Sequence, residues 1–152
     1  MAILVRAATH ADAPSLTRNT IAMASESEGM QLDAATVRRG TDTLLADAGK
    51  GRVFVAEHGG RIVGSTYVTF EWSDWHDAWY WWIQSVYVAP DHRGQHVYSA
   101  LYRAVQDAAR AAGNVRSIRL YVAGHNDQAL RAYRGHGMAE TPYKVFEWVV
   151  EK

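Results

Sequence analysis

The sequence contains no cysteine. This absence excludes disulfide bonds, zinc sites built on thiolates and a cysteine nucleophile. No stretch approaches the ~18 consecutive apolar residues that a transmembrane helix requires. The apolar start Met1–Val5 ends at Arg6 and is too short for the hydrophobic region of a signal peptide. We therefore expect a cytoplasmic protein without a membrane partner.

The chain also lacks net charge, because its 16 basic residues balance its 16 acidic residues. A neutral protein has no overall field to attract nucleic acid or an anionic membrane, so neither is an expected partner. An anionic ligand would have to be bound by local backbone N–H groups and a few arginines.

Several sequence motifs are missing as well. The chain has no Gly-x-Gly-x-x-Gly, no Gly-Lys-Ser/Thr of a P-loop and no Gly-x-Ser-x-Gly nucleophile elbow. It has no internal repeat, low-complexity tract or linker. At 152 residues and 17.0 kDa, we expect a single domain spanning residues 1–152 with one hydrophobic core.

Hydrophobic periodicity predicts ten elements in the order β-α-α-β-β-β-α-β-α-β, an α/β (α+β) fold with a mixed sheet flanked by helices. The Gly-Gly pair at 59–60 predicts a tight hairpin. Thr9–Asp12 has the pattern of a capping box, and Asp33 that of an N-cap. The predicted elements are a strand at 3–7, a helix from 9 to about 23, a loop at 25–31, a helix from 33 to 49, strands at 52–58, 62–71 and 79–88, a helix from 94 to 112, a strand at 116–122, a helix at 126–135 and a final strand at 143–150.

The stretch Ile83–Ala112 organises the rest of the chain. It reads as a buried strand, a turn closed by Pro90, and a helix that begins near Gly94. The helix carries an apolar stripe at steps of four and three residues: Val97, Leu101, Val105, Ala108 and Ala112. A helix N-terminus that follows an arginine predicts an anion site, with phosphate as its commonest occupant.

Two blocks of this sequence resemble the GNAT superfamily of N-acetyltransferases. The first block is Val86-x-Val88-x-Pro90-x-x-Arg93-Gly94-x-x-Val97-x-Ser99-Ala100-Leu101, which is similar to that superfamily's acyl-CoA-binding motif. The second is Leu120-Tyr121-Val122 followed by Asn126-x-x-Ala129-x-x-x-Tyr133-x-x-x-Gly137-Met138. The resemblance implies acetyl-CoA as cosubstrate and a fourth and fifth strand that run parallel and splay apart around its pantetheine arm.

The resemblance assigns the cofactor-binding residues to the first block. It implies that the diphosphate of CoA is bound by Arg93 and by the N–H groups of Gly94, Gln95, His96, Val97, Tyr98 and Ser99. It also implies that the backbone of Val86, Tyr87 and Val88 hydrogen-bonds the pantetheine arm and polarises the thioester carbonyl. His96 and Tyr98 depart from the glycines that are usual at these places, so we expect Tyr98 to point away from the phosphates.

In the second block, the resemblance makes Tyr133 the general acid that protonates the leaving thiolate, and Asn126 a contact of the pantetheine arm. A phenol can donate this proton only if it lies in the cleft. The alternative is a tyrosine whose ring packs on the sheet with its hydroxyl in solvent.

The acceptor side carries no motif. Glu71 is the first candidate for a general base, while Glu26 and Glu28 lie in a predicted loop that often borders the acceptor site in this superfamily. For each of these glutamates a solvated surface carboxylate is the commoner interpretation, because glutamate is mostly exposed. Gln84 shares a strand face with Trp82, which predicts that both contact the acceptor.

Five tryptophans fall within eleven residues, at positions 72, 75, 79, 81 and 82. Strand alternation places Trp79 and Trp81 on one face, and Tyr80 and Trp82 on the other. An aromatic acceptor pocket, core packing and a homodimer face all fit this pattern.

His92 and His96 have the i, i+4 spacing of a metal-binding helix, but the residues between them lack the glutamate of a metalloprotease helix. We expect no metal.

These observations predict an enzyme that moves an acetyl group from acetyl-CoA to the amine of a small molecule, amino acid, peptide or protein by direct attack. A non-catalytic acyl-CoA-binding regulatory module on the same fold is the first alternative. An interaction domain built around the tryptophan-rich hairpin is the second.

Overall fold

The computed structural model of the protein describes residues 2–151, which form five strands and four α-helices. The strands are β1 (Leu4–Ala7), β2 (Arg52–His58), β3 (Arg61–Ser73), β4 (Ala78–Val88) and β5 (Val115–Leu120). The helices are α1 (Ala13–Glu28), α2 (Ala34–Ala46), α3 (Val97–Ala112) and α4 (Asp127–Gly135). Short 3₁₀ turns occupy His10–Asp12 and Pro90–His92. No helix in residues 2–151 is long and apolar enough to cross a bilayer.

The chain divides after Leu120 into two compact units. The first unit contains the whole sheet and helices α1 to α3. The second contains α4 and the segment that follows it. A single domain over the full length stays a prediction.

The sheet follows chain order, β1-β2-β3-β4-β5. The first four strands pair antiparallel, whereas β5 pairs parallel with β4 after the α3 crossover. The β2–β3 hairpin turns at Gly59 and Gly60, which adopt positive φ angles of 58° and 76°. Two successive left-handed residues are what a type I′ turn requires, so the predicted Gly-Gly hairpin is confirmed.

Helix α3 supplies the centre of the core. Val97, Leu101 and Val105 are each no more than 1% exposed. A Cβ placed on Gly64 of β3 would lie 2.9 Å from Val97 Cγ1 and 3.3 Å from Leu101 Cδ1. The absence of a side chain at Gly64 therefore lets the first two turns of α3 lie directly on the sheet.

The entrance to α1 is stabilised by a charged cluster. The guanidinium of Arg6 donates to both carboxylate oxygens of Asp12, at 2.8 and 3.0 Å, and to Glu57 at 3.1 Å. The N–H of Thr9 donates to Asp12 at 2.7 Å, as the predicted capping box requires. The ion pair with Arg6 holds the pKa of the buried Asp12 carboxyl below its usual range.

Some helix boundaries differ from the sequence prediction, and α2 ends at Ala46 rather than at Gly49. Helix α1 continues through the predicted loop to Glu28 and ends at Gly29, whose φ of 63° closes the helix and whose N–H bonds to Ser25 O. Helix α3 begins at Val97 rather than near Gly94, because Gly94 and His96 adopt left-handed φ angles of 73° and 63°.

The predicted strand order is confirmed as far as β5, but the predicted final strand at 143–150 is wrong. Residues 139–151 belong to no helix or strand. A strand is defined by its pairing with a neighbour, and within the described part of the chain these residues have none. Their composition is strand-like, but composition alone does not supply a pairing partner.

We expect Asp12→Asn to lower the free energy of unfolding at pH 7 by about 2 kcal/mol, because it breaks a buried, hydrogen-bonded ion pair. The pKa of Asp12 is lower in the folded protein than in the unfolded chain. Its contribution is therefore full above about pH 5 and is lost as the pH falls through the folded value. Urea denaturation between pH 7 and pH 3 should show the gap between parent and variant closing as the pH falls.

Asp42→Asn is the matched control, since Asp42 pairs with Arg38 on the exposed surface of α2. It should change stability by less than about 0.5 kcal/mol. Equal effects of the two substitutions at pH 7 would contradict this account of the Arg6–Asp12 cluster.

Candidate functional site

Strand β4 is paired along its full length on one side only. Trp79–Ile83 pairs with β5, and this pairing ends at Leu120. After the bulge at Gln84, Ser85–Val88 pairs with β3 but with no other strand in the described residues. The sheet therefore opens beside the second half of β4, as expected for parallel strands that part.

The backbone of this open half has a defined orientation. The N–H of Ala89 donates to Val63 O at 2.8 Å, so Ala89 faces β3. Because successive residues of a strand alternate, the N–H groups of Val88 and Val86 point away from β3, towards the open edge. The carbonyl of Val88 on the same edge accepts a hydrogen bond from Arg93 Nε at 2.9 Å. This edge can donate to carbonyl oxygens of an extended ligand.

A helix N-terminus follows the open strand directly. The first bond back into the turn is that from Ala100 N–H to His96 O, at 3.0 Å. A regular helix supplies no intrahelical acceptor for the N–H groups of its first turn, which here comprises Val97 to Ser99. Together with the positive end of the helix dipole, such groups are suited to hold an anion, as the sequence predicts.

Arg93 stands beside this helix end and is held by three contacts. Its Nε bonds to Val88 O, its guanidinium lies 5.9 Å from the centre of the Tyr87 ring, and its NH2 pairs with Glu26 of α1. Both side chains of the Arg93–Glu26 pair are about half exposed, so the pair is weak in water. An incoming polyphosphate can therefore replace Glu26 on the guanidinium at little cost.

The two residues that depart from the motif behave differently. His96 takes the N-cap position with φ 63° and ψ 16°, a conformation that glycine adopts without strain and histidine only with some. The ring of Tyr98 stacks on Tyr102, with centroids 6.1 Å apart and planes within 10°. The chain thus keeps the left-handed turn without the glycine, and the Tyr98 ring lies along the helix.

A cavity of about 440 Å³ lies between α1, α2 and the sheet. Its lining combines apolar side chains with hydroxyl groups and contains one charged residue, Lys50. Burial raises the pKa of Tyr67, which lines it, so this phenol stays protonated. The residues that line it on the helices are Leu16, Thr20, Met23, Val37, Thr41 and Leu44, and on the sheet Val53, Ser65, Thr66, Tyr67, Thr69, Gln84 and Ser85.

Gln84 connects this cavity to the open edge of β4. It is the extra residue of a bulge, since Tyr67 pairs with Ser85 and Val68 pairs with Ile83. Its side-chain Nε2 donates to Thr69 Oγ1 at 2.8 Å. Bulges often direct a side chain into a site, and this one lies where the pairing of β4 with β5 ends.

Glu71 of β3 and Trp82 of β4 are in contact. Trp82 Nε1 donates to Glu71 Oε1 at 3.3 Å, and Arg119 NH1 of β5 lies 3.9 Å from Glu71 Oε2. The Arg119 guanidinium covers the Tyr80 ring at 3.7 Å and lies 5.8 Å from Trp82. The aromatic face that the sequence offers to a cationic ligand is thus occupied by the chain's own arginine.

The other aromatic residues pack within the sheet. Phe70 contacts Trp79 and Trp81, with ring centroids 6.2 and 5.5 Å away. Trp81 is only 4% exposed, whereas Trp75 in the β3–β4 turn is 81% exposed. Core packing therefore accounts for Trp81 and part of Trp79, and the predicted alternation of the two faces is confirmed.

The two glutamates that the sequence places beside the acceptor both lie at the end of α1. Glu26 contacts Arg93 of the phosphate turn, and Glu28, the last residue of the helix, is exposed. Sequence reasoning missed Arg119. No signal along the chain could have found it, because β5 carries two arginines, Arg116 and Arg119, and the neighbours Tyr80 and Trp82 of Arg119 belong to a different strand.

The second unit carries the remaining two predicted residues. Asn126 caps α4, as predicted, with its Oδ1 accepting from Ala129 N–H at 3.1 Å. Burial raises the pKa of Tyr133, so its phenol holds its proton throughout the neutral range. A protonated phenol is a competent proton donor, whichever group receives the proton.

Histidines form one close pair in this protein, but not the pair suggested by spacing. His58 Nδ1 lies 3.0 Å from His92 Nε2, and His92 Nδ1 lies 2.9 Å from Asp91 Oδ1. Among residues 2–151, no group of three or more histidine, aspartate or glutamate side chains is placed to hold a metal ion.

The left-handed His96 gives a testable consequence. We expect His96→Gly to be at least as stable as the parent, because glycine relieves the strain of a positive φ. His96→Val should lose about 1–3 kcal/mol, since a β-branched residue is least tolerant of this conformation. Urea denaturation of the three proteins measures both changes. A clear loss of stability in His96→Gly would contradict the assignment of strain to this residue.

The chain is similar to a known protein family and to several solved structures. A family model described as the acetyltransferase (GNAT) family matches residues 20–138. No curated protein matches the chain in sequence.

Solved structures share the fold over the whole chain. A possible acetyltransferase from Clostridium difficile 630 is 30% identical with a TM-score of 0.94, and the match covers 100% of both chains. A ribosomal-protein-alanine N-acetyltransferase from Brucella melitensis biovar Abortus 2308 is 16% identical with a TM-score of 0.77, covering 98% of this chain and 100% of that one. An aminoglycoside acetyltransferase from an uncultured soil metagenomic sample, solved with sisomicin, is 18% identical with a TM-score of 0.77, covering 98% and 97%.

The family match extends from α1 through α4 and includes both the open strand and the helix N-terminus described above. The protein therefore belongs to the GNAT acetyltransferase family.

Proposed function

We propose that this protein transfers an acetyl group from acetyl-CoA to a primary amine by direct attack of the amine nitrogen. The observation that carries the proposal is the continuity of the β4 edge with the N-terminus of α3. An open backbone edge leads straight into an anion site, which is the shape required by a long amide-containing arm that ends in a diphosphate.

The residues present fit acetyl-CoA. Arg93 and the first N–H groups of α3 would hold the diphosphate through charge-assisted hydrogen bonds. The left-handed backbone at Gly94 and His96 supports the fit, because the turn keeps its shape although a histidine replaces a glycine. When bound, acetyl-CoA supplies an acetyl thioester, with the CoA thiol as leaving group.

The chain itself supplies polarisation, a base and an acid. The N–H groups of Val86 and Val88 are aimed at the open edge, where a donor would stabilise negative charge on a thioester oxygen. Because the chain lacks cysteine, no cysteine acyl-enzyme is available, and the amine must attack directly.

Glu71 is the proposed base, since an ammonium group must lose a proton before its nitrogen can attack. Half of its side chain is exposed. Trp82 Nε1 and Arg119 fix the position of the carboxylate, and the hydrogen-bonded Gln84 and Thr69 line the cavity. Tyr133 is the proposed acid on the strength of the motif, and its raised pKa supports that role.

The lining of the cavity favours an acceptor of modest charge. None of the side chains that line it is a carboxylate. A polycationic acceptor would lose hydration there without gaining ion pairs. We therefore propose a small or peptide amine whose neighbouring groups are apolar or accept hydroxyl hydrogen bonds, rather than an aminoglycoside.

Amine-dependent release of CoA thiol tests the proposal. A thiol-reactive chromophore reports only CoA, because the protein has no cysteine of its own. A panel should include apolar and hydroxylated amines, amino-acid amides, peptides and the aminoglycoside sisomicin. Acetyl-CoA binding with no thiol release across the whole panel would replace the enzyme with the non-catalytic acyl-CoA-binding module.

Tyr133→Phe should lower kcat by about 10²-fold, because it removes the phenolic hydroxyl that would donate the proton and leaves the ring in place. Tyr143→Phe, which alters an exposed phenol, is the matched control and should leave kcat unchanged. Burial raises the pKa of Tyr133. Loss of the phenolic proton should therefore not reduce the rate of the parent at any pH below about 10. Equal kcat values for Tyr133→Phe and the parent would remove Tyr133 from the mechanism.

Glu71→Gln should lower kcat/KM by about 10²-fold and abolish the part of the pH–rate profile that reports the base. Asp107→Asn serves as control, because Asp107 is an exposed carboxylate on the surface of α3. If the two variants retain the same activity, Glu71 is a surface residue and the base lies elsewhere.

A further inference from the structure

Arg119 on β5 is held in a fixed orientation by two aromatic rings. Its guanidinium carbon lies 3.7 Å from the centre of the Tyr80 ring and 5.8 Å from that of the Trp82 ring, both on the neighbouring strand β4. Stacking on an aromatic face restricts the guanidinium and leaves the N–H groups around its edge available as donors. Arg119 therefore has the properties of a rigid binding group.

Glu71 lies beside Arg119 but beyond hydrogen-bond distance. Arg119 NH1 and Glu71 Oε2 are 3.9 Å apart, which is longer than an N–H···O hydrogen bond. The other carboxylate oxygen of Glu71, Oε1, accepts from Trp82 Nε1 at 3.3 Å, so an uncharged donor holds the carboxylate in place. One cation and one anion are thus fixed side by side, and each can still bind a group of opposite charge.

This pair of charges lies where the sheet begins to open. Arg119 pairs in register with Trp82, one residue before the pairing of β4 with β5 ends. On β3, Thr69 lines the cavity between α1, α2 and the sheet. Glu71 follows Thr69 by two residues on the same strand, so the two side chains share a face of the sheet. The pair therefore stands on the side of the sheet that carries the cavity.

We propose that Arg119 binds the carboxylate of the acceptor, and that the acceptor is a free α-amino acid whose ammonium group lies on Glu71. The inference rests on the proposed acetyltransferase function and narrows its acceptor. In an α-amino acid one carbon carries both charged groups, so one molecule can contact both members of a pair that is 3.9 Å apart. The apolar and hydroxyl-bearing lining of the cavity then suits an apolar or hydroxylated side chain.

This assignment leaves the chemistry of the transfer unchanged. The ammonium group loses one proton through Glu71 to solvent, and the nitrogen then attacks the acetyl carbon. As the C–N bond forms and the C–S bond breaks, the nitrogen loses a second proton, which is balanced by the one that the CoA sulfur gains. The carboxylate takes no part in these bond changes, so Arg119 determines which amine binds.

Matched amines test the inference in the thiol-release assay. Each set contains an amino acid, its amide and the amine that lacks the carboxyl carbon, for leucine, methionine, phenylalanine and threonine. The parent should favour the amino acids. Arg119→Gln should lower the ratio of kcat/KM for amino acid over amide by about 10- to 100-fold, the contribution of a hydrogen bond between charged groups. The intrinsic reactivities of the two amines cancel, because the same amines are compared in both proteins.

The ratio separates binding of the acceptor from support of the base. If Arg119 only positioned Glu71, its loss would lower both rates equally and leave the ratio unchanged. Arg119→Lys keeps the charge without the planar guanidinium, so it should retain part of the preference. Arg116→Gln is the matched control, because Arg116 lies on the same strand, faces the opposite side of the sheet and carries the same charge. Its ratio should equal that of the parent.

The possible failures can be told apart. An unchanged ratio in Arg119→Gln, or a parent that prefers amides and simple amines to amino acids, would overturn the inference and leave the acetyltransferase function in place. Thiol release with no amine at all would contradict both. Urea denaturation of the Arg119 variants verifies that a change in the ratio occurs in a folded protein.

Discussion

The seating of α3 on β3 is the contact on which the rest of the site depends. Val97 and Leu101 pack against Gly64, which has no side chain. A single carbon added to Gly64 would come too close to both side chains and displace them. This contact fixes the first turn of α3 at the end of β4. The intervening turn must then reverse within eight residues, and the left-handed Gly94 and His96 accomplish this. The anion site is thus a consequence of core packing.

Strand β4 has two parts with different pairing, and they meet at Gln84. Up to Ile83 it pairs on both sides and serves the core, and from Gln84 onward it pairs on one side and leaves an edge open. The bulge at Gln84 coincides with this division and turns its amide onto Thr69 beside the cavity. The first half of β4 therefore contributes to the stability of the sheet, and the second half leaves backbone groups available for a ligand.

Charge near the open edge is balanced by local pairs rather than by a general field. Arg93 is paired with Glu26, and Arg119 lies close to Glu71 while covering Tyr80. Each pair presents a cation and a carboxylate at the surface of a chain with no net charge. An anionic ligand can contact Arg93 of the first pair, and an ammonium group can contact Glu71 of the second. This arrangement suits a reaction between an anionic cosubstrate and an amine.

The sequence predicted those features that depend on neighbours along the chain. The Gly-Gly hairpin, the Asp33 and Asn126 caps, and the apolar stripe of α3 through Val105 are local patterns, and the structure has all of them. The end of α1 was missed because a run of serine and glutamate resembles a loop, although Gly29 alone decides where the helix stops.

Features that require a spatial neighbour could not be predicted in the same way. Arg119 reaches Glu71 and Tyr80 across two strand pairings, and Glu26 reaches Arg93 from a distant helix. The final strand fails for a related reason, since propensity at 143–150 says nothing about whether an edge is present to pair with. Within the candidate site, the motif supplied the residue positions, and the structure supplied the left-handed His96 and the role of Gln84.

A calorimetric titration of acetyl-CoA into the full chain, with CoA and ATP as controls, tests the central claim most directly. If the open edge of β4 and the N-terminus of α3 form one site, acetyl-CoA and CoA should bind with one-to-one stoichiometry and ATP much more weakly, because ATP has phosphates but no pantetheine arm. Absence of acetyl-CoA binding at millimolar concentration would mean that His96 and Tyr98 have closed the anion site, and would contradict the account.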